Sequence, residues 1–429
     1  MKLWQKSITV EQQVDQFTVG HDRVLDLKIA PFDVQASKAH VAMLGKIGLL
    51  KNGEAALLLV ALDEIGHQIE SGQFVIESEF EDVHSKIEFL LTEKLGDLGK
   101  KVHAGRSRND QVLVALHLFF KSEIKSIVGL KKQLALQLID LAEQHQEVLM
   151  PGYTHTQIAM VSSFGMWLAA FAEALINDLD FWEAAYKSVN MNPLGSGAGY
   201  GSSLPLDRKA TTEALGFGQL AYGSIFAQLC RGRSEARLSW AMSSSAQTLN
   251  KLASDVVLFM SQNFDFIRFP DELTTGSSIM PHKKNPDVFE LIRGYCGQIL
   301  ALPQQLILLG HNLTTGYHRD FQLFKNPLFP ALDQLKQCLA MSQFMFESIE
   351  VHPAILSDPK YRYAFSVEAV NALVLNGVPF REAYRRIGEQ IESGNFEPTL
   401  GAHTHEGSLG RLGLEVLRKR VSLAFSQEG

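Results

Sequence analysis

The segment Gly276-Ser277-Ser278-Ile279-Met280-Pro281-His282-Lys283-Lys284-Asn285-Pro286-Asp287 decides how this chain is read. Two hydroxyls on a flexible Gly/Ser stretch run into two lysines, then into Asn-Pro-Asp, a good helix start. Asn285 can cap, Pro286 fits the first helical position, and Asp287 suits the positive end of the helix dipole. Hydroxyls, ammonium groups and backbone N–H donors meet at one point, as binding a carboxylate or stabilising a carbanion requires. A solvated loop ahead of a capped helix accounts for the same residues.

On either side the chain reads as nearly all helix. Apolar residues recur at helical spacing over 54–70, 82–95, 110–144, 162–189 and 231–262. The third and fifth of these carry apolar residues on more than one face, so each needs several neighbours, as in a multi-helix bundle or an oligomeric core. Strand signals are weak and allow only short hairpins, for instance around 73–77. Punctuation at Gly96-Asp97-Leu98-Gly99 and Val351-His352-Pro353 divides the chain into an N-terminal helical region, 1–103, a long-helix region, 104–350, and a smaller helical region, 351–429. Within the last, Asn376-Gly377-Val378-Pro379 reads as a turn between two helices.

Composition narrows the function classes. The chain has 429 residues, 46% of them hydrophobic, and a formal net charge of -7. Lys and Arg are scattered and form no basic face for nucleic acid. Cys230, Cys296 and Cys338 lie far apart without metal-ligand spacing, which fits reduced packing residues in a cytoplasm. Met1-Lys2-Leu3-Trp4-Gln5-Lys6 lacks the apolar core of a signal peptide, and no apolar run is long enough to span a bilayer. A cytoplasmic protein with no membrane partner is expected.

Other polar clusters stand in turns. His103-Ala104-Gly105-Arg106-Ser107-Arg108-Asn109-Asp110-Gln111 gathers guanidinium forks, a hydroxyl and an amide that suit carboxylates; it also reads as a helix cap in which Asn109 or Asp110 starts the long helix, with arginines paired to acids. Pro151-Gly152-Tyr153-Thr154-His155-Thr156-Gln157 places a histidine able to move a proton near neutral pH in a turn between helices, although a lone histidine also serves as a hydrogen-bonded structural residue. Tyr317-His318-Arg319-Asp320-Phe321-Gln322-Leu323-Phe324-Lys325 can complete an anion pocket or form a solvated turn. The glycines of Asn192 to Gly201 have no preceding strand and lack the third glycine of a dinucleotide fingerprint, so positive φ or close approach explains them better. His403-Thr404-His405-Glu406 supplies no fourth metal ligand and reads as a surface loop.

Taken together, these segments resemble the fumarase/aspartase superfamily. The double lysine of Lys283-Lys284-Asn285-Pro286-Asp287 is similar to its argininosuccinate lyase branch. Ser107-Arg108-Asn109-Asp110, Gly152-Tyr153-Thr154-His155, Pro193-Leu194-Gly195-Ser196-Gly197, Tyr317 with Arg319-Asp320 and Gln322, and Gly377-Val378-Pro379-Phe380-Arg381-Glu382-Ala383 fall in the branch's order. The resemblance implies an all-α, three-domain fold, and a homotetramer with a twenty-helix core and active sites built from three subunits. It implies cleavage of argininosuccinate to arginine and fumarate, the last step of arginine biosynthesis, with no metal or organic cofactor. It assigns Ser277 as base, His155 as proton donor, Glu290 as its orienting carboxylate and Lys283 as carbanion stabiliser. Ser107, Asn109, Thr154, Asn285, Tyr317, Gln322 and Lys325 fall on substrate-binding positions.

Three departures stand out. His282 occupies a usual glutamine position, Thr156 a usual leucine position, and 17–26 lacks the usual Phe-Asn-x-Ser pattern, removing a serine that contacts the substrate's amino-acid end. Sister lyases share the fumaryl half of the chemistry, but the double lysine and Ser-Arg-Asn-Asp argue against them. Retention of Ser277, His155, Lys283 and Glu290 argues against an inactive structural paralogue.

Overall fold

The computed structural model describes residues 11–51 and 53–425, so the leader reading of Met1 to Lys6 lies outside the described residues. The fold is all-α. Two short helices, Gln12–Val19 and Asp22–Leu25, precede α1 (Ala30–Lys46), α2 (Glu54–Glu70) and α3 (Val83–Leu95). The long helices are α4 (Arg108–Gln144), α5 (Phe164–Asn177), α6 (Leu179–Val189), α7 (Arg233–Phe259), α8 (Asp287–Leu309) and α9 (Lys325–Phe346). Ser366–Leu375 (α10), Phe380–Glu392 (α11) and Leu414–Leu423 (α12) follow.

Burial all round α4 explains why it is the hub. Every residue from Leu113 to Lys121 is buried, which a helix against a single neighbour cannot achieve. It packs on α1, α5, α6, α9 and α12, and α7 lies against α8, α9 and α6. One apolar core runs through all of these helices, while Ala369, Val370, Ala383, Ile387 and Phe396 form a separate small cluster around α10 and α11. Gly377, at φ +85°, makes the expected turn between those two helices.

The structure corrects three expectations. The 73–77 stretch forms no strand: Phe74 and Ile76 are buried and Val75 is exposed, an alternation produced by laying an extended segment on the end of α2, where Gln73 and Phe74 donate to the Gln68 carbonyl. The hairpin lies instead at β1 (Leu149–Thr154) and β2 (Gln157–Ser163), antiparallel with a register shift between Pro151 and Tyr153. The single helix expected over 162–189 begins at Phe164, capped by the Ser163 hydroxyl, and is interrupted at Asp178. There the carboxylate turns inward to take Lys131 at 3.0 Å, Ser244 at 2.6 Å and Thr248 at 2.9 Å. Finally, Asn285 does not cap α8 and Pro286 is not its first residue: the helix starts at Asp287, the cap position falls on Pro286, which has no capping side chain, and the Asn285 amide donates instead to the Gly276 carbonyl at 3.2 Å.

Candidate active site

A cavity of about 310 Å³ opens where the N-terminal helices meet the starts of α3, α4 and α9. Asn109, Tyr317, Gln322 and Lys325 line it, together with Arg108 and Arg319. Ser107, one residue from this wall, is the N-cap of α4: its hydroxyl accepts the Asn109 N–H at 3.3 Å, and Asp110 closes a capping box by accepting the Ser107 N–H at 2.8 Å. The cap is therefore Ser107, not Asn109 or Asp110. The same Asp110 also receives the N–H groups of Gly195 and Gly197, so the glycine-rich turn wraps a carboxylate of the helix start.

The cations of this cavity are largely engaged. Arg108 pairs with Glu81 at 2.9 Å and Asp82 at 3.1 Å, and Arg319 also pairs with Glu81. Lys325, expected on the substrate side, is buried between Asp26 at 2.6 Å and Asp22 at 2.7 Å. Gln322 donates its amide to the carbonyls of Thr18 and Val19, both at 2.9 Å. These two contacts pull the atypical N-terminal segment against the cavity, so Asp22 and Asp26 become part of its wall. Burial pushes the Asp22 carboxyl up to about 6, with Lys325 opposing the shift and Asp26 adding to it.

A second group sits on the loop before α8. The loop is closed at its neck by the Thr275–Asn285 bridge and by a Thr275 hydroxyl bond to Asp287. Inside it the Ser277 Oγ accepts N–H bonds from Ile279 at 3.4 Å and Met280 at 3.2 Å. Lys284 is tied to Asp271, whereas Lys283 is exposed without an ion pair among the described residues, and Glu290 is exposed on the first turn of α8. A third group, Thr154 and His155, is exposed at the hairpin tip, where His155 (φ +54°) and Thr156 (φ +60°) both adopt the left-handed conformation. The turn between two helices expected there is this hairpin tip.

Within one chain these three groups remain separate. Neither Ser277, Lys283, Asn285 and Glu290 nor Thr154 and His155 line the cavity, and no hydrogen bond or ion pair joins the groups among the described residues. The C-terminal His403 bonds Glu368 at 3.2 Å, and His405 faces its neighbour's carbonyl, as befits a structural loop.

A family model described as Lyase matches residues 6–301. An argininosuccinate lyase of Phocaeicola vulgatus is 52% identical over 429 residues, covering 99% of this chain and 96% of that protein. The chain belongs to the argininosuccinate lyase family. A more distant member, from Thermotoga neapolitana, is 41% identical and covers 91% of this chain and 98% of its own. Among solved structures, an EDDS lyase in complex with formate superposes with a TM-score of 0.74 at 21% identity, covering 97% of this chain and 90% of that one. A class II fumarase from Schistosoma mansoni gives 0.73 at 17%, with 98% of each chain covered. At those identities the likeness concerns the fold. Sequence reading missed Asp22, Asp26, Glu81 and Arg231 as cavity residues; the one signal it had was that 17–26 breaks the family pattern, with two acids four residues apart inside it.

Proposed function

We infer that this protein is an argininosuccinate lyase, cleaving argininosuccinate to arginine and fumarate by reversible β-elimination. The full-length identity to argininosuccinate lyases, 52% over 99% of the chain, is the observation that carries this reading. In this mechanism the proton leaves a carbon beside a carboxylate, and the developing charge spreads into a doubly negative aci-carboxylate that cations and N–H donors must meet. Lys283, Asn285 and the uncapped start of α8 are the groups for that task.

Ser277 serves as base. A hydroxyl is basic enough only as an alkoxide, and the N–H bonds that Ile279 and Met280 donate to its oxygen favour that form. Loop closure over the substrate then excludes water. His155 gives a proton to the departing guanidino nitrogen, with Glu290 orienting the ring. Ser107 and Asn109, with Thr154, Tyr317, Gln322 and Lys325, frame the substrate, Lys325 and Gln322 acting by holding the N-terminal wall.

A homotetramer in which three subunits contribute to each site brings the separated groups together. Two features support it: the three groups do not meet in one chain, and α8 buries Phe289, Ile292, Cys296, Ile299, Leu302 and Leu306 on one face while leaving Leu291, Leu300, Ile307 and Leu308 exposed on the other. The protein works in the cytoplasm; no helix among the described residues is long and apolar enough to cross a membrane. Absorbance at the fumarate band after adding the purified protein to argininosuccinate, with adenylosuccinate, malate and aspartate in parallel, tests the reading. Fumarate from argininosuccinate alone is expected; fumarate only from another substrate, or none, overturns it.

A further inference from the structure

His155 and Thr156 form the tip of the hairpin with φ +54° and +60°. Two consecutive residues other than glycine in the left-handed region are strained, the β-branched Thr156 most of all, and such a turn persists only where its surroundings over-determine it. The turn does little for itself. Only Thr154 with Gln157 and Tyr153 with Ile158 pair between the tip and the register shift at Pro151. Among the described residues the side-chain bond of the tip runs from the Thr156 hydroxyl to the His155 carbonyl at 2.6 Å, and the His155 ring has none, so the place of that ring depends on the backbone of the turn.

The grip comes from a distant part of the chain. The 3-10 turn Pro359–Phe365 packs across β1 and β2, and its Tyr361 is 2% exposed. Tyr153 of β1, Phe264, Phe266 and Tyr361 follow one another in a run of ring contacts, with centroids 5.4, 5.3 and 6.2 Å apart. The Tyr153 and Tyr361 hydroxyls hydrogen-bond each other, which gives a phenol in so apolar a place the partner it needs. We propose that Tyr361 is a positioning residue for His155: its hydroxyl holds Tyr153, two residues before the tip, and so keeps the strained turn and its ring in place for proton transfer. This rests on the role given to His155 above. Tyr361 acts only through Tyr153, and Phe264 and Phe266 fill the space between the two rings.

Tyr361→Phe removes the hydroxyl and keeps the ring. Amide exchange read by mass spectrometry over 153–158 should speed up about fivefold or more, with the peptides of α4 and α7 unchanged. With argininosuccinate, kcat should fall about fivefold or more while KM stays within about twofold, and the pH dependence of kcat should change. A residue that only stabilised the fold would move the melting temperature and leave these kinetic readings alone. Thr156→Asn, which suits the left-handed conformation, should recover part of the lost kcat in the Tyr361→Phe background, and by itself should slow exchange at the tip. Unchanged exchange over 153–158 in Tyr361→Phe, or faster exchange there with kcat and its pH dependence unchanged, overturns the proposal. So does a Thr156→Asn variant whose tip exchanges like the wild type, a comparison that needs no change at Tyr361. His155→Asn separates the two levels: wild-type turnover in that variant overturns the role of His155, while exchange over 153–158 still decides whether Tyr361 holds the tip.

Discussion

The Asp110 Oδ2 lies 2.9 Å from the backbone nitrogen of Gly197 and 2.9 Å from that of Gly195, while its Oδ1 holds the Ser107 N–H at 2.8 Å. One buried carboxylate thus fixes the start of α4 and the glycine-rich turn together, and through them Asn109 at the cavity wall. Removing it leaves three backbone donors without an acceptor. Asp110→Ala is expected to destabilise the protein by about 3 kcal/mol or more, seen as a drop of several degrees in melting temperature and a large loss of activity. Asp110→Asn, which keeps one acceptor oxygen, should fall between. An alanine variant that melts with the wild type would show that the turn does not depend on this acceptor.

The same residue shows what a sequence discloses and what it withholds. The helix 54–70 was legible to the residue because its period is local, whereas the cap expected at Asn109 or Asp110 falls on Ser107, although Ser107 with Asp110 three positions on is itself a local capping pattern. At Asn192 to Gly201 no preceding strand was legible, yet the two residues Met191–Asn192 pair in parallel with Gln219–Leu220, and the reason for the glycines, an acid 85 residues upstream, was not local either. The interruption at Asp178 depends on Lys131, 47 residues away, and the hairpin at β1 and β2 was hidden by Pro151 and Gly152 in a short run. Asp26 and Lys325 stand 299 residues apart, so the acid wall of the cavity is a tertiary fact. The polar motifs were readable because each is contiguous; whether they assemble was not, since the folded chain keeps them apart.

Ser277→Ala is expected to abolish fumarate release from argininosuccinate and to leave melting temperature and subunit assembly unchanged, because the loop is largely exposed and contributes little packing. Sedimentation and a fumarate assay on the same preparation check both halves. Normal turnover in this variant would remove Ser277 from the role of base.

If Glu290 orients His155 across a subunit boundary, Glu290→Gln should lower kcat with little change in KM and move the pH dependence of kcat. An unchanged pH–rate profile would count against the pair.

Separation of the groups within one chain predicts complementation. Ser277→Ala and Asn109→Ala subunits, each inactive alone, should regain a measurable fraction of wild-type activity when unfolded together and reassembled, because some hybrid sites draw Ser277 from one chain and Asn109 from another. Activity at background in the mixture, with tetramers formed, would contradict a site shared between subunits.

Protonation of Asp22 gives the last prediction its sign. Burial raises the carboxyl from 3.8 to about 6, with Lys325, Asp26 and Arg231 as the charged groups acting on it. The folded state holds the extra proton between about 4 and about 6, so the contribution of this group to stability declines as pH rises through that window and is constant above it. Melting temperatures measured from pH 4 to 8, with Asp22→Asn alongside, separate this group from its neighbours. The decline should be present in the wild type and reduced in the variant, and a decline that survives the substitution unchanged assigns the titration to another residue.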